Sequence, residues 1–177
     1  MSFSLLQALF ALSATAATAA QTTYYLTTTA IVTDPATNVS ALQCWRFTTP
    51  LEVPSTPGIT GTQLFQLNLS SAAEYTVIPP RFDGGLHNAP HNQLVAFTSG
   101  LAHITLPGNS TDEAWVVGGE TGLIVAVDTV GSGHYTRYPT DQATVAFALP
   151  FENDEPPPHE VNSTGACDHR SGSQLVL

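Results

Sequence analysis

Arg81-Phe-Asp-Gly-Gly-Leu-His-Asn-Ala-Pro-His-Asn-Gln-Leu-Val-Ala-Phe-Thr-Ser-Gly100 is the stretch that decides the fold. It passes from a turn segment rich in glycine, asparagine and proline into a run of apolar residues that is typical of a strand. A second stretch, Asp128-Thr-Val-Gly-Ser-Gly-His-Tyr-Thr136, repeats this order of turn and strand. Three of the six histidines, His87, His91 and His134, lie in these two stretches.

The rest of the chain up to residue 151 has the same character. In the segment Thr62–Leu69, for example, Phe65, Leu67 and Leu69 alternate with polar residues, so a strand is predicted there. Segments of this kind recur with Pro, Gly, Asn or Asp between them, and no window keeps a helical period. Period two with turn signals every 8 to 12 residues or so is typical of an antiparallel sandwich or barrel. The sequence therefore predicts an all-β protein.

The two ends of the chain differ from this middle part. Residues 1–20 contain the apolar run Leu5–Leu12 and then small residues up to Ala20, which is the pattern of a secretory signal peptide. The run is too short for a membrane anchor, which needs about 20 apolar residues. Residues 152–177 are rich in Pro, Glu, Asn and Ser and are predicted to be a flexible C-terminal tail. We therefore predict a β domain over residues 21–151, secreted or in the lumen of the secretory pathway, with no membrane span in the mature protein.

Secretion gives meaning to two other features. Four Asn-x-Ser/Thr sequons predict a glycoprotein; they begin at Asn38, Asn68, Asn109 and Asn162. The only cysteines are Cys44 and Cys167, and an even count in an oxidising compartment favours a disulfide between the tail and an early strand. The alternative is a buried Cys44 and a free thiol in the tail.

The charge of the chain limits its partners. Fourteen acidic residues face four basic ones, which gives a formal net charge of −10. Such a charge argues against nucleic acid and anionic membrane surfaces as partners. A small molecule is the partner that we expect.

The two quoted stretches resemble the two sequence motifs of the cupin family. His87-Asn-Ala-Pro-His-Asn-Gln93 and Asp128-Thr-Val-Gly-Ser-Gly-His134 are similar to the motifs of small single-domain cupins. Counting back from Gly100 places the family's first histidine at His87, its second at Ala89 and its glutamate at Gln93. The resemblance covers about residues 64–151.

The resemblance implies a double-stranded β-helix, or jelly-roll barrel, of about eight strands with a ligand cavity inside. His87 and Gln93 would come from adjacent strands and His134 from a third, all pointing inward. Many members of the family are dimers, so a homodimer is a further expectation.

Metal-binding cupins hold their ion with three histidines and a carboxylate. Here Ala89 and Gln93 replace two of these ligands, so we expect no tightly bound cofactor. The alternative is a divalent metal ion held by His87, His91 and His134, because His91 would share the face of Gln93 in an extended segment. His91 is otherwise an exposed rim residue.

Without a metal, His87 and His134 form a pair suited to acid and base catalysis, because imidazole titrates near neutral pH. Gln93 would orient a ring or hold a substrate carbonyl, and His91 is the remaining catalytic candidate. The predicted function is isomerisation, elimination or intramolecular cyclisation of a small apolar biosynthetic intermediate, polyketide-like or terpenoid-like. The alternatives are a metal-dependent oxygenase or oxidase, and a non-catalytic secreted binding protein. Asp128 is expected to cap the turn before Gly131.

Overall fold

Two antiparallel-rich sheets make up the protein in a computed structural model, which describes residues 23–168 and 175–176. The large sheet has the strand order β11-β2-β1-β8-β5-β10-β3, with β12 paired to β1, and the small sheet has the order β4-β9-β6-β7. The strands are β1 (Tyr25–Asp34), β2 (Val39–Pro50), β3 (Glu74–Ile78), β4 (Asp83–His87), β5 (Gln93–Ser99), β6 (Leu101–Leu106), β7 (Asn109–Val117), β8 (Leu123–Ala126), β9 (His134–Arg137), β10 (Thr144–Pro150), β11 (His159–Thr164) and β12 (Leu175–Val176).

The large sheet is buried on both faces. Along β1, residues 26–32 are all buried, and successive side chains belong to two different apolar clusters. Ile31 joins the cluster between the two sheets, whereas Ala30 and Val32 join the cluster on the opposite face. Because strand side chains alternate between faces, a strand buried on both sides reads as a continuous apolar run. The small sheet therefore covers one face of the large sheet and positions the residues between them.

The second face of the large sheet is covered by the segment between β2 and β3. Phe65 and Leu67 pack there against the cluster that contains Phe47 and Phe151. The prediction of a strand over Thr62–Leu69 is wrong, because this segment makes only isolated bridges, one of them from Leu64 to Glu52. Its alternating pattern reflects packing on the sheet and not pairing within it.

The prediction of an all-β fold is confirmed. The two sheets pack face to face as a sandwich that is compatible with a jelly roll. The described strands form two separate sheets and not one closed hydrogen-bonded barrel. Within the same described ranges, no helix has the length and apolar character needed to cross a membrane.

The structure differs from the predicted domain boundary at residue 151. Residues His159–Thr164 form β11, which pairs with β2 at the edge of the large sheet. His159 stacks on Trp45 with the ring centroids 3.5 Å apart. This part of the predicted tail therefore belongs to the domain, because strand pairing compensates for its polar composition. The predicted signal peptide lies outside the described residues.

The predicted disulfide is confirmed. Cys44 in β2 is bonded to Cys167, and the Cys167 amide donates a hydrogen bond to Thr29 Oγ1. The disulfide therefore ties the segment that follows β11 to strand β2. Three sequon asparagines, Asn38, Asn68 and Asn162, are exposed, so each is accessible for the predicted glycosylation.

Candidate active site

A cavity of about 340 Å³ lies between the two sheets and collects the residues of both quoted stretches. His87 at the end of β4 is paired in register with His134 at the start of β9, both in the small sheet. Gln93 opens β5 in the large sheet and faces the same cavity. Three candidate site residues, from opposite layers of the sandwich, thus line one space.

Gly133 permits the close approach of the two histidine strands. Its φ is +70°, which favours glycine, and a Cβ atom there would lie 2.7 Å from the backbone oxygen of His87. Any side chain at this position would push β4 and β9 apart where the histidines meet. Glycine is therefore the residue that fits at position 133, next to His134.

His134 is buried and held by a carboxylate. Its Nδ1 lies 2.8 Å from Asp128 Oδ2, and the side chain of Asp128 has no exposed surface. Because a carboxylate accepts hydrogen bonds, Nδ1 carries the proton and donates it to Asp128. Nε2 is then the basic nitrogen, and it makes no hydrogen bond with another described residue.

Asp128 is itself oriented by two neighbours. The Ser40 hydroxyl donates to Asp128 Oδ2 at 3.1 Å, and the Asn88 amide donates to the Asp128 backbone oxygen at 2.8 Å. Ser40 also donates its backbone N–H to Ser132 Oγ at 2.8 Å, which fixes the β1–β2 turn to the loop before β9. The expectation that Asp128 caps its own turn is wrong. Its side chain points inward because His134 and Ser40 provide donors for the buried charge.

His87 lies at the open end of the cavity. Its ring centroid is 4.5 Å from that of His134, and the two rings are inclined by 59°. His87 is exposed, and its Nδ1 donates a hydrogen bond to the Gly85 carbonyl at 3.1 Å. One histidine of the pair therefore contacts solvent while the other is buried.

The remaining cavity surface is mostly apolar. It is formed by aliphatic and aromatic side chains from both sheets, among them Ile78, Val95, Phe97, Ile104 and Ile124. No Asp, Glu, Lys or Arg is among the described residues that line it. Uncharged molecules therefore suit this cavity better than phosphates or carboxylates.

Tyr138 lies in line with His134, four residues further along the chain. His134, Thr136 and Tyr138 alternate inward and all line the cavity. Burial raises the pKa of the Tyr138 phenol above its ordinary value, so the hydroxyl stays protonated at neutral pH. Strands rise by about 3.3 Å per residue, which places Tyr138 at the opposite end of the cavity from the histidine pair.

His91 does not join the other candidates. It is exposed in the turn between β4 and β5 and does not line the cavity. Ala89, which stands at the position of a family ligand, is buried in the cavity wall. Pro90 and the turn that follows direct His91 outward, so the structure agrees with His91 as an exposed rim residue and not with the alternative of a face shared with Gln93.

The side chains present do not fit the metal centre that the resemblance implies for metal-binding members. Within residues 23–168 and 175–176, no three His, Cys, Asp or Glu side chains are grouped so that they could hold a metal ion. At the four positions where the resemblance would place metal ligands, the chain has His87, His134, the alanine Ala89 and the neutral amide of Gln93. His134 also directs one nitrogen to Asp128.

Two residues of the site were missed by sequence reasoning. Asp128 stands six residues before His134 inside the quoted stretch, and its spacing from the histidine was the available signal. Ser40 lies 88 residues from Asp128, and no local pattern indicates their contact.

Compared with models of protein families and with curated proteins, the chain has no match. The function must therefore follow from the geometry of the site itself.

Proposed function

We propose that this protein is a secreted, cupin-like enzyme that moves a proton on a small uncharged molecule. The reaction class is isomerisation, elimination or intramolecular cyclisation. The observation that carries the proposal is the buried hydrogen bond from His134 Nδ1 to Asp128, which leaves a basic Nε2 at an apolar cavity. An arrangement of this kind is typical of general-base catalysis.

His134 acts as the base. Asp128 holds the imidazole in one tautomer and stabilises the imidazolium that forms when Nε2 takes a proton. Ser40 keeps the carboxylate in place through its hydroxyl group. The burial of Asp128 and His134 strengthens these electrostatic interactions, since the surroundings have a low dielectric constant.

His87 acts as the acid and exchanges protons with solvent. It is the exposed member of the pair and lies beside His134 at the cavity entrance. After His134 has taken a proton from the substrate, His87 can give a proton back to the substrate and can exchange protons with water, so the buried core does not have to open. This division of roles follows from the difference in exposure between the two rings.

The size and lining of the cavity support a small, fairly apolar substrate. A volume of about 340 Å³ is at the lower end of the range of about 300 to 1,000 Å³ that is typical of ligand cavities. The confirmed disulfide and the exposed sequon asparagines support secretion. The homodimer stays a prediction, for which light scattering is the test.

The direct test uses 5-nitrobenzisoxazole, a small neutral probe that needs only a base. Removal of its carbon-bound proton is coupled to cleavage of the N–O bond and releases a coloured cyanonitrophenolate. We expect saturable release above the buffer rate in the wild type, and loss of this rate in His134→Ala. His103→Ala is the matched control, because His103 stacks on Trp115 outside the cavity.

Two results would contradict the proposal. A wild-type rate equal to that of buffer would leave the two alternatives, the metal-dependent oxygenase or oxidase and the non-catalytic binding protein. A rate that survives His134→Ala would assign the base to another group. Protein purified without chelator is used, and its metal content is measured in parallel, so that a metal-dependent rate is recognised by its loss on chelation.

A further inference from the structure

Gln93 is a buried amide without a partner in the described part of the protein. The residue is 7% exposed and lies in the cavity wall at the start of β5. Its side chain makes no hydrogen bond with another described residue. Among the described residues, the fully buried side-chain atoms that lack a partner are Asn92 Oδ1 and Asp128 Oδ1. The amide atoms of Gln93 are therefore reached from the open space of the cavity and are free to contact a ligand there.

The hydrogen-bonding groups around Gln93 specify the kind of ligand atom. In their neutral forms His87 and His134 use Nδ1–H for Gly85 and Asp128. His134 therefore presents Nε2 as an acceptor to the cavity, and His87 does the same whenever it has given up the proton that it carries as the acid. Gln93 supplies the side-chain N–H donor that faces them from the other sheet. A ligand oxygen that accepts a hydrogen bond suits Gln93, and a ligand proton suits His134.

The lining excludes a charged acceptor such as a carboxylate or phosphate. No lysine or arginine is among the described lining residues, so an anion entering the cavity would lose its hydration without the compensation of a permanent positive charge. A neutral carbonyl oxygen meets the amide donor at no such cost. Glutamine side chains are also among the groups that stabilise negative charge as it develops on oxygen.

We infer that Gln93 binds the carbonyl oxygen of an uncharged ketone, enone or ester, and that His134 removes a proton from the carbon next to that carbonyl. This inference rests on the proposed function and names its substrate class. The C–H bond breaks, its electron pair forms the carbon–carbon double bond of an enolate, and the carbonyl π pair moves to the oxygen held by Gln93. The proton passes to His134 Nε2 and returns to the same carbon or to a conjugated one, so no oxidant or reductant is needed.

The test compares two probes with the same fused rings, 2-tetralone and tetralin, of which only the first has a carbonyl group. Dissociation constants are measured by calorimetry, and exchange of the tetralone α-protons in D₂O is measured by mass spectrometry. We expect the wild type to prefer the ketone by about tenfold, the effect of one hydrogen bond to a buried amide. We also expect exchange above the buffer rate.

Three variants separate the outcomes. Gln93→Leu keeps the size of the side chain and should abolish both the preference for the ketone and most of the exchange. Tyr138→Phe removes another hydroxyl donor that lines the cavity, beside those of Thr76 and Thr136, and should keep the preference for the ketone. Gln63→Leu, at an exposed glutamine outside the cavity, is the control for the substitution itself, and unfolding curves confirm that each variant folds.

The inference is overturned if Gln93→Leu retains the preference for the ketone, or if Tyr138→Phe removes it instead. It is also overturned if the ketone binds without exchange above the buffer rate. These failures differ from failure of the proposed function, because elimination of 5-nitrobenzisoxazole needs no carbonyl. Carbonyl binding that depends on Gln93, without any such elimination, would support the recognition step and contradict the base.

Discussion

Replacing Asp128 by asparagine removes the charge behind His134 while keeping the size of the side chain. Asp128 Oδ2 accepts hydrogen bonds from His134 Nδ1 at 2.8 Å and from Ser40 at 3.1 Å. An asparagine amide can present its N–H₂ group to Nδ1, which would move the ring proton to Nε2 and leave no base at the cavity. General-base catalysis contributes roughly 10²- to 10⁴-fold to the rate. We therefore expect kcat for 5-nitrobenzisoxazole to decrease by a factor within this range.

The same change should have a small effect on stability. Two hydrogen bonds to a buried charge contribute roughly 3 to 6 kcal/mol, counted at about 1.5 to 3 kcal/mol each. Removing the buried charge also removes its desolvation cost, which is several kcal/mol per ion. The two terms are opposite in sign and similar in size. We therefore expect the free energy of unfolding to change by about 2 kcal/mol or less.

The assay is the absorbance of the released phenolate, recorded over a range of probe concentrations. Asp128→Asn should lower kcat and leave KM within about threefold, because the residue does not line the cavity. Asp141→Asn is the matched control, since that carboxylate is exposed and pairs with Arg81 at the surface. A kcat in Asp128→Asn equal to that of the wild type would refute the role of the carboxylate.

Three further predictions concern positioning and stability. Ser40→Ala should lower kcat by about tenfold through loss of the hydrogen bond to Asp128, whereas Ser40→Thr should retain activity. Ser40 is also the third residue of the sequon that begins at Asn38. Asn38→Gly destroys that sequon but keeps the serine, so it separates the effect of the hydroxyl from that of glycosylation. The hydrogen bond from His103 lowers the pKa of the Glu113 carboxyl. The ionised carboxylate therefore contributes to the free energy of unfolding above its ordinary pKa, and this contribution is lost as pH falls through the lowered pKa. In urea titrations, Glu113→Gln should lose less stability in acid than the wild type. Replacing both cysteines by serine should lower the free energy of unfolding by about 5 kcal/mol in the chain-entropy model, because the disulfide spans 123 residues.

A urea midpoint unchanged without the disulfide would contradict the last prediction. Equal acid sensitivity of Glu113→Gln and the wild type would contradict the second. Loss of activity in Asn38→Gly as large as in Ser40→Ala would show that the glycan, and not the hydroxyl, supports the site.

Most of the β architecture was predictable because strand periodicity and turn residues are local signals. The strand β4 was less evident, since Gly84 and Gly85 in its middle read as a turn. β11 was missed because its side chains are polar and mostly exposed. Its stability comes from pairing with β2 and from the nearby disulfide, and neither contribution is written in the local pattern.

The site was predictable in part for the same reason. The motif spacing led to His87, His134 and Gln93, and the structure brings these three to one cavity. For His91 the sequence left two alternatives open, and the exposed rim residue is the one that agrees with the structure, because a turn does not keep the period of a strand. The contact of Ser40 with Asp128 depends on packing between distant segments, which no local pattern reveals.

The tautomer of His134 is the property on which the proposed chemistry depends most directly. A long-range ¹H–¹⁵N correlation spectrum of the ¹⁵N-labelled protein at mildly alkaline pH measures it, with His134→Gln to assign the signals. We expect a protonated Nδ1, held by Asp128, and an unprotonated Nε2. A spectrum with the proton on Nε2 would contradict the role of His134 as the base.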